Sequence, residues 1–180
     1  MLEQDVKKVL FSAEEITERC KVLGKQITED YSARGEVPLL VALLKGSIPF
    51  LSELIKYIDL PVEIDFMDVS SYDGTESVGE VHVLKDLDRA IKNESILIVE
   101  DIVDTGRTLE SVSNLLKYKG AKDVRICTLL DKPERRIKSV QVEYSGFNCP
   151  NEFVIGFGLD FNEKYRNLPY IGVLKEELYQ

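Results

Sequence analysis

The sequence predicts an α/β fold in which a mainly parallel central sheet is flanked by helices. Fully apolar or nearly apolar segments with the length of buried strands occur at Pro38–Leu44, Ser95–Val99 and Val124–Leu130. Segments with helical spacing of apolar residues lie between them. Alternation of this kind, with strands that are apolar on both faces, is typical of an open parallel sheet covered by helices on both sides.

The first two helices lie on either side of the first apolar strand. Ser12 and Glu15 form a capping box that predicts where the first helix begins. The buried face of this helix is predicted to hold four apolar residues, Ile16, Val22, Leu23 and Ile27. After the strand, Lys45-Gly46-Ser47 predicts a turn, and Ile48–Ile58 has the apolar spacing of a second helix.

The rest of the chain continues the alternation. Val62–Val69 predicts a strand whose buried face holds Val62, Ile64 and Phe66, opposite Glu63 and Asp65. The polar segment Ser71–Glu80 predicts a loop. The remaining elements are a strand at Val81–Leu84, a helix at Leu109–Tyr118 that ends at Gly120, and late strands at Phe153–Ile155 and Tyr170–Val173.

Composition narrows the class of protein. The 180 residues fit one domain, residues 1–180, and the net charge of −9 argues against a general nucleic-acid surface. The first residues lack the basic and apolar regions of a signal peptide, which favours a cytoplasmic location. The three cysteines have no metal-ligand or disulfide pattern. The single histidine, His82, is interpreted as a solvated strand residue.

The segment that follows the Ser95–Val99 strand carries the strongest chemical signal. Ligands of open parallel sheets bind beyond the carboxyl ends of the strands. Here the strand leads into the acids Glu100 and Asp101, then Asp104, and then Thr105–Thr108 at the start of a helix. Gly106 permits close backbone approach, and unpaired amides at a helix start attract a phosphate.

The two halves of this segment favour different chemical groups. Carboxylates repel a phosphate but suit sugar hydroxyls and Mg²⁺, which prefers oxygen ligands. A sugar phosphate satisfies both halves. The Gly-x-x-x-x-Gly-Lys-Ser/Thr pattern of a nucleotide P-loop is absent.

Val99–Leu109 closely resembles the signature with which type I phosphoribosyltransferases bind phosphoribosyl pyrophosphate (PRPP). Within that family, the chain is most similar to the hypoxanthine-guanine enzymes of purine salvage, over nearly its whole length. The resemblance implies the type I phosphoribosyltransferase fold. That fold adds a small hood, formed by the N-terminal segment and the C-terminal part, and a mobile lid loop at about residues 70–80.

The resemblance also assigns roles within the signature. Glu100 and Asp101 would hold the ribose hydroxyls, directly or through Mg²⁺. Asp104 would be the catalytic residue near purine N7. The 5′-phosphate would be bound at Asp104–Thr108, a segment formed by Asp104, Thr105, Gly106, Arg107 and Thr108.

Further segments resemble the sites for pyrophosphate and the lid. Leu44–Ser47 resembles the pyrophosphate loop, with Lys45 and Gly46 as ligands and a Lys–Gly peptide that the family often holds in the cis form. Arg166 would also contact pyrophosphate, and Asp160 would bind Mg²⁺ there. Ser71 and Tyr72 match the lid.

Two segments resemble the purine site. Lys132 would donate to the 6-oxo group, which an ammonium selects over an amino group because it has donors only. Phe153 would stack on the base, and the backbone of Val154 would contact its edge.

The resemblance therefore implies Mg²⁺-dependent transfer of phosphoribose from PRPP to hypoxanthine or guanine, with xanthine as a possible extra substrate. Alternatives are a transferase for adenine, orotate or uracil, an RNA-binding regulator with the same fold, and a nonenzymatic nucleotide binder. Relatives form dimers and tetramers, so a homodimer or homotetramer is expected, with Phe50–Ile58 as a candidate partner-facing helix.

Overall fold

The computed structural model describes residues 2–71 and 81–179. The helices are α1 (Ala13–Arg34), α2 (Ser47–Leu54) and α3 (Arg107–Tyr118). The strands are β1 (Val6–Phe11), β2 (Leu39–Leu43), β3 (Glu63–Ser71), β4 (Val81–Lys85), β5 (Ser95–Val103), β6 (Asp123–Asp131), β7 (Tyr144–Asn148), β8 (Val154–Ile155) and β9 (Ile171–Leu174). Short 3₁₀ turns occur at Leu2–Asp5, Ile55–Tyr57, Pro133–Arg135 and Glu176–Leu178.

The larger of two sheets has six strands in the order β4-β3-β2-β5-β6-β7. All neighbours in it are parallel except β3 and β4, which are antiparallel. The second sheet, β1-β9-β8, is antiparallel and joins the two ends of the chain. This architecture confirms the predicted mainly parallel sheet and the hood formed from both chain ends.

Helices cover both faces of the larger sheet. Residues of β2 alternate between the two faces, with Leu40 and Ala42 in the core under α1 and α2 and Val41 in the core under α3. The hood has a small core of its own around Ile155, Leu168 and Leu174. None of the described helices is long and apolar enough to span a bilayer.

The first predicted helix is confirmed, but one residue of its predicted face is wrong. Ser12 and Glu15 form both hydrogen bonds of the capping box. Ile16, Leu23 and Ile27 are fully buried, whereas Val22 is 45% exposed. Each helical residue is rotated by about 100° from the last, so Val22 points away from the face that its neighbour Leu23 occupies.

The prediction for β3 had the wrong face buried. Asp65 and Met67 are buried, while Ile64 is 46% exposed. The Asp65 carboxylate is satisfied by Lys85 at 3.5 Å and by the backbone N–H of Asp88 at 2.9 Å. Partners on neighbouring segments therefore allow a charged side chain to take an inward position.

Several boundaries also differ from the predictions. The helix predicted at Ile48–Ile58 is α2 followed by a 3₁₀ turn. Its residues Phe50, Leu51, Leu54 and Ile58 are buried in the chain's own core, whereas Ile48 is 46% exposed, and the partner-facing role of this helix stays a prediction. The strands β1 and β7 were not predicted. β1 contains two lysines and β7 a glycine, so neither has the apolar run of a buried strand.

Candidate active site

The acidic end of β5 lies inside the sheet rather than after it. The strand continues past the predicted end at Val99, because Glu100 pairs with Thr128 and Val103 with Asp131 on β6. Asp101 is buried, and the Glu100 Oε2 atom is buried without a hydrogen-bond partner among the described residues. The carboxyl-terminal part of β5 therefore holds two adjacent acidic residues, and both Asp101 and the Glu100 Oε2 atom are removed from water.

Burial changes the acidity of this pair. It raises the pKa of Glu100 well above the ordinary value, and the neighbouring charge of Asp101 raises it further. Burial also raises the pKa of Asp101, against opposing effects that include a hydrogen bond from Glu100. Without a cation or hydroxyl donors, the ionised form of these two carboxyl groups is therefore disfavoured.

The next residues form a small anion-sized cavity. A space of about 130 Å³ is lined by Glu100, Ile102, Val103, Asp104, Thr105, Gly106, Thr108 and Leu109. Gly106 has φ +80° and precedes the first residue of α3. The Thr105 carbonyl accepts from the N–H groups of Ile137 and Lys138, both at 3.0 Å, which fixes the loop from behind. This space lies at the helix start where the sequence predicts an anion cradle, and its role in binding an anion stays a prediction.

Asp104 lies between this cavity and a larger one. Its carboxylate is 2.8 Å from Arg135 Nε. Both side chains line a neighbouring cavity of about 720 Å³, and Asp104 and Ile102 border both spaces. A group held in either cavity would therefore meet the Asp104 side chain.

The larger cavity contains the residues predicted for the purine site. Lys132, Phe153 and Val154 all line it. Lys132 is 5% exposed and donates from Nζ to the carbonyl of Glu152 at 2.7 Å, so it is not a surface lysine. An ammonium has three donors, and the Glu152 carbonyl accepts from one of them.

Phe153 is 38% exposed, so it is not a core residue. Its ring stacks on that of Tyr179 at a centroid distance of 5.0 Å and meets Phe161 edge-on at 5.5 Å. These contacts hold an aromatic surface at the wall of the cavity.

A third group of predicted residues lies beside Asp101. Gly46 has no room for a Cβ because Asp101 Oδ2 occupies that position, and Gly158 packs in the same way on the Gly46 carbonyl. The loops that carry Gly46 and Gly158 are therefore in close backbone contact next to the acidic pair. The cis peptide in this region joins Leu44 and Lys45, one residue before the Lys–Gly peptide expected from the resemblance.

The cations of this third group are already paired. Arg166 donates to the Gly158 carbonyl at 2.8 Å and lies 2.9 Å from Asp160. Glu163 contacts Lys45 at 3.0 Å and Arg166 at 3.1 Å. Hydrogen bonds from Lys45 and then Arg166 lower the pKa of Glu163, so it remains ionised.

The Glu100–Asp101 pair decides whether this part of the site can hold a metal ion. No cluster of three or more histidine, cysteine or acidic side chains suited to a metal is found within residues 2–71 and 81–179. The Glu100–Asp101 pair nevertheless offers hard oxygen atoms, one of them unpaired among the described residues. These two carboxylates fit Mg²⁺ only if substrate oxygens or water complete the coordination, which is common for this ion.

Several residues with a place in the site were not predicted from the sequence, among them Arg135, Glu163 and Tyr179. Each is an ordinary charged or aromatic residue in a segment without a recognisable pattern of its own. Of the predicted lid residues, Ser71 ends β3, and Tyr72 lies outside the described residues.

Comparisons with known proteins identify the family of this chain. Residues 10–162 match the family model described as "Phosphoribosyl transferase domain". The chain belongs to this phosphoribosyltransferase family.

Curated relatives extend the likeness over the full length. The chain is 55% identical to a hypoxanthine-guanine phosphoribosyltransferase of Streptococcus thermophilus and 56% identical to one of Streptococcus mutans, covering 99% of each chain in both comparisons. A crystal structure of a hypoxanthine phosphoribosyltransferase from Staphylococcus aureus superposes with a TM-score of 0.94 at 51% identity, over 99% of this chain and 97% of that one.

Proposed function

We propose that this chain transfers the phosphoribosyl group of PRPP to hypoxanthine or guanine, releasing pyrophosphate and forming IMP or GMP. One observation carries the proposal. A cavity lined by Lys132 and Phe153 and a smaller cavity at the start of α3 meet at Asp104. Their arrangement matches a nucleotide, with a base at one end, a phosphate at the other and a sugar between them.

The smaller cavity would bind the 5′-phosphate through Thr105–Thr108, using backbone N–H groups, the hydroxyls of Thr105 and Thr108, and the positive end of α3. Arg107, the first residue of this helix, supplies one of these N–H groups. Glu100 and Asp101 would accept hydrogen bonds from the ribose hydroxyls.

The larger cavity would bind the purine. The base would stack on Phe153, and the buried Lys132 would donate to its 6-oxo group. The backbone of Val154 would contact the edge of the base. A 6-oxopurine is favoured over adenine because an amino group at that position would place donors against the donors of Lys132.

In the proposed reaction, purine N9 attacks the anomeric carbon as the bond to pyrophosphate breaks, with inversion. Asp104 would accept a proton or hydrogen bond from purine N7 as positive charge develops on the base. Arg135 would have to yield part of its present contact with Asp104. The residues of the lid, among them Ser71 and Tyr72, would exclude water, which competes as a nucleophile.

The leaving pyrophosphate would be bound by Lys45, the Gly46 backbone and Arg166, which lie beside Asp101. Mg²⁺ is proposed at two places, on Glu100 and Asp101 at the ribose and on Asp160 at the pyrophosphate. When bound, it would offset the negative charge of the pyrophosphate oxygens. Asp160 would first exchange its contact with Arg166 for the ion.

The wider setting is also proposed. Residues 1–180 would form one catalytic domain, acting in the cytoplasm as a homodimer or homotetramer. Analytical ultracentrifugation of the purified chain measures the oligomeric state directly.

A panel of bases tests the proposed reaction. The purified protein is incubated with PRPP and hypoxanthine, guanine, xanthine, adenine, orotate or uracil, with MgCl₂ and with EDTA, and nucleotide is measured by chromatography. Turnover of hypoxanthine and guanine is expected, and EDTA should abolish it. Turnover of adenine, orotate or uracil alone would contradict the assignment of Lys132.

Two further results would favour the other classes of protein. Salt-sensitive RNA binding without turnover would favour a regulator, although the net charge of −9 opposes it. Binding of nucleotides without turnover of any base would favour a nonenzymatic binder.

A further inference from the structure

Glu163 lies between the two cations assigned to pyrophosphate. Its Oε2 atom accepts a hydrogen bond from Lys45 Nζ at 3.0 Å, and its Oε1 atom accepts one from Arg166 Nη2 at 3.1 Å. The two oxygens of one carboxylate thus bridge two side chains from different loops. A phosphate group bound by the same cations would need the same donors.

The loop that carries Glu163 favours this position. The backbone N–H of Glu163 donates to Asp160 Oδ2 at 2.9 Å. Phe161 and Lys164 exchange two backbone hydrogen bonds of 3.1 Å, and Glu163 has φ +63° between them. This tight turn places the Glu163 side chain on the side of the loop that faces Lys45.

A plain surface ion pair is the alternative interpretation. The side chains of Lys45 and Glu163 are 61% and 64% exposed, and exposed pairs contribute little to stability. A weak ion pair between Lys45 and Glu163 is one that a bound phosphate group can replace. Arg166 is less exposed, at 25%, and is also held by Gly158 and Asp160, so it keeps its place when Glu163 leaves.

We propose that Glu163 competes with pyrophosphate for Lys45 and Arg166, and that it has to release both cations when pyrophosphate or PRPP binds. The inference rests on the proposed function, because it needs these two cations to be pyrophosphate ligands. Its consequence is a weaker hold on the product pyrophosphate, which favours product release, a step that limits turnover in many enzymes.

The test compares Glu163→Gln with wild type and with Glu29→Gln. Glu29 is a matched control, since it is also 64% exposed and pairs with a lysine, Lys25, but lies on α1. Binding of inorganic pyrophosphate is measured by isothermal titration calorimetry in buffer with MgCl₂. Glu163→Gln should bind pyrophosphate about three- to tenfold more tightly, as expected when an exposed charged competitor is removed, while Glu29→Gln should match wild type.

A shorter acid separates the bridge from mere negative charge. Glu163→Asp keeps the charge but cannot span both cations as well, so its affinity for pyrophosphate should fall between those of wild type and Glu163→Gln. An affinity equal to that of wild type would show that nearby charge, not the bridge, is responsible, and would overturn the inference.

The inference and the proposed function fail in distinguishable ways. If wild type binds pyrophosphate and Glu163→Gln binds it equally or more weakly, with an unchanged melting temperature, the competitor role is wrong and the pyrophosphate site stands. If wild type does not bind pyrophosphate at all, the site assignment is wrong and the inference falls with it.

Discussion

The two halves of Val99–Leu109 differ in their effect on the stability of the folded protein. The first half places Glu100 and Asp101 in the carboxyl-terminal part of β5, where burial raises the pKa of both. The second half, Thr105–Thr108, offers neutral backbone donors at the start of α3. The ionised carboxylates of the acidic half are disfavoured until a cation or a hydrogen-bond donor contacts them. The backbone donors of the phosphate half carry no charge and have no such requirement.

This difference indicates how an acidic protein can bind an anionic substrate. In the proposed function, the phosphate half would attract an anion with dipoles, which do not change the net charge of −9. In the proposed function, the acidic half would bind a hydroxyl-bearing sugar and a divalent cation. Asp104 lies at the junction of the two halves, and its role is either that of a base in the reaction or that of a residue of the phosphate site.

Asp104→Asn is expected to have the largest effect. Asparagine keeps the shape of the side chain but removes its charge and its ability to accept a proton from the base. The kcat should fall by about 10²–10⁴-fold, the usual contribution of a general base, while the PRPP dissociation constant changes little. Steady-state kinetics and calorimetry measure the two quantities.

Asp86→Asn is a suitable control, because it removes the same charge from an ion pair with Lys119 that lies outside both cavities. It should leave kcat unchanged. Equal losses of kcat and PRPP affinity in Asp104→Asn would assign Asp104 to the phosphate half and would refute its role as a base.

Gly106→Ala probes the phosphate half and should have the second largest effect. Gly106 has φ +80°, and an added Cβ would lie 2.9 Å from the Lys138 carbonyl. Alanine therefore meets both backbone strain and a steric clash, and the N–H groups at the start of α3 should shift. We expect PRPP to bind about tenfold to a hundredfold more weakly, corresponding to roughly 1–3 kcal/mol of strain.

Gly120→Ala is the matched control at the other end of the same helix. Gly120 has φ +94°, but its added Cβ would meet nothing closer than Lys92 at 3.6 Å. Both variants should lose thermal stability, and only Gly106→Ala should lose PRPP affinity in calorimetric titrations. A parallel loss of affinity in both variants would show that general destabilisation, not the cradle, is responsible.

The sequence predicted those parts of the fold whose causes are local. The apolar strands β2, β5 and β6 are covered on both faces, so each appears as an apolar run. The continuation of β5 through Glu100 and Asp101 depends on pairing with β6, which residue patterns along one strand do not reveal. Asp65 likewise points inward because its partners come from a different segment.

The candidate site divides in the same way. The residues assigned to the sugar and 5′-phosphate are neighbours in sequence, so one loop brings them together. Arg166 pairs with Asp160 and Glu163 of its own loop. The other two cations have distant partners, since Lys45 contacts Glu163 from 118 positions away and Arg135 reaches Asp104 from another loop. Such contacts follow from the packing of loops that have no distinctive composition, and only the structure reveals them.

Glu100→Gln tests the cost of the acidic half and should have the smallest effect. Folding raises the pKa of Glu100. As the pH rises above the ordinary pKa of a glutamate, the unfolded chain therefore loses a proton that the folded chain retains. The free energy of unfolding of wild type should therefore be highest at acidic pH and decline as the pH rises toward the raised pKa. Glutamine removes the charge and can donate to Asp101.

At pH 7 the melting temperature of Glu100→Gln should exceed that of wild type by about 2–4 °C, which corresponds to roughly 1 kcal/mol in a chain of this size. The difference should shrink as the pH is lowered toward 5, and Glu29→Gln should show no such trend. Addition of PRPP with MgCl₂ should stabilise wild type more than the variant, because relief of the acidic pair is then part of binding. A variant that melts below wild type at pH 7 would mean that the ionised pair is already compensated within the protein, and the contrast between the two halves would not hold.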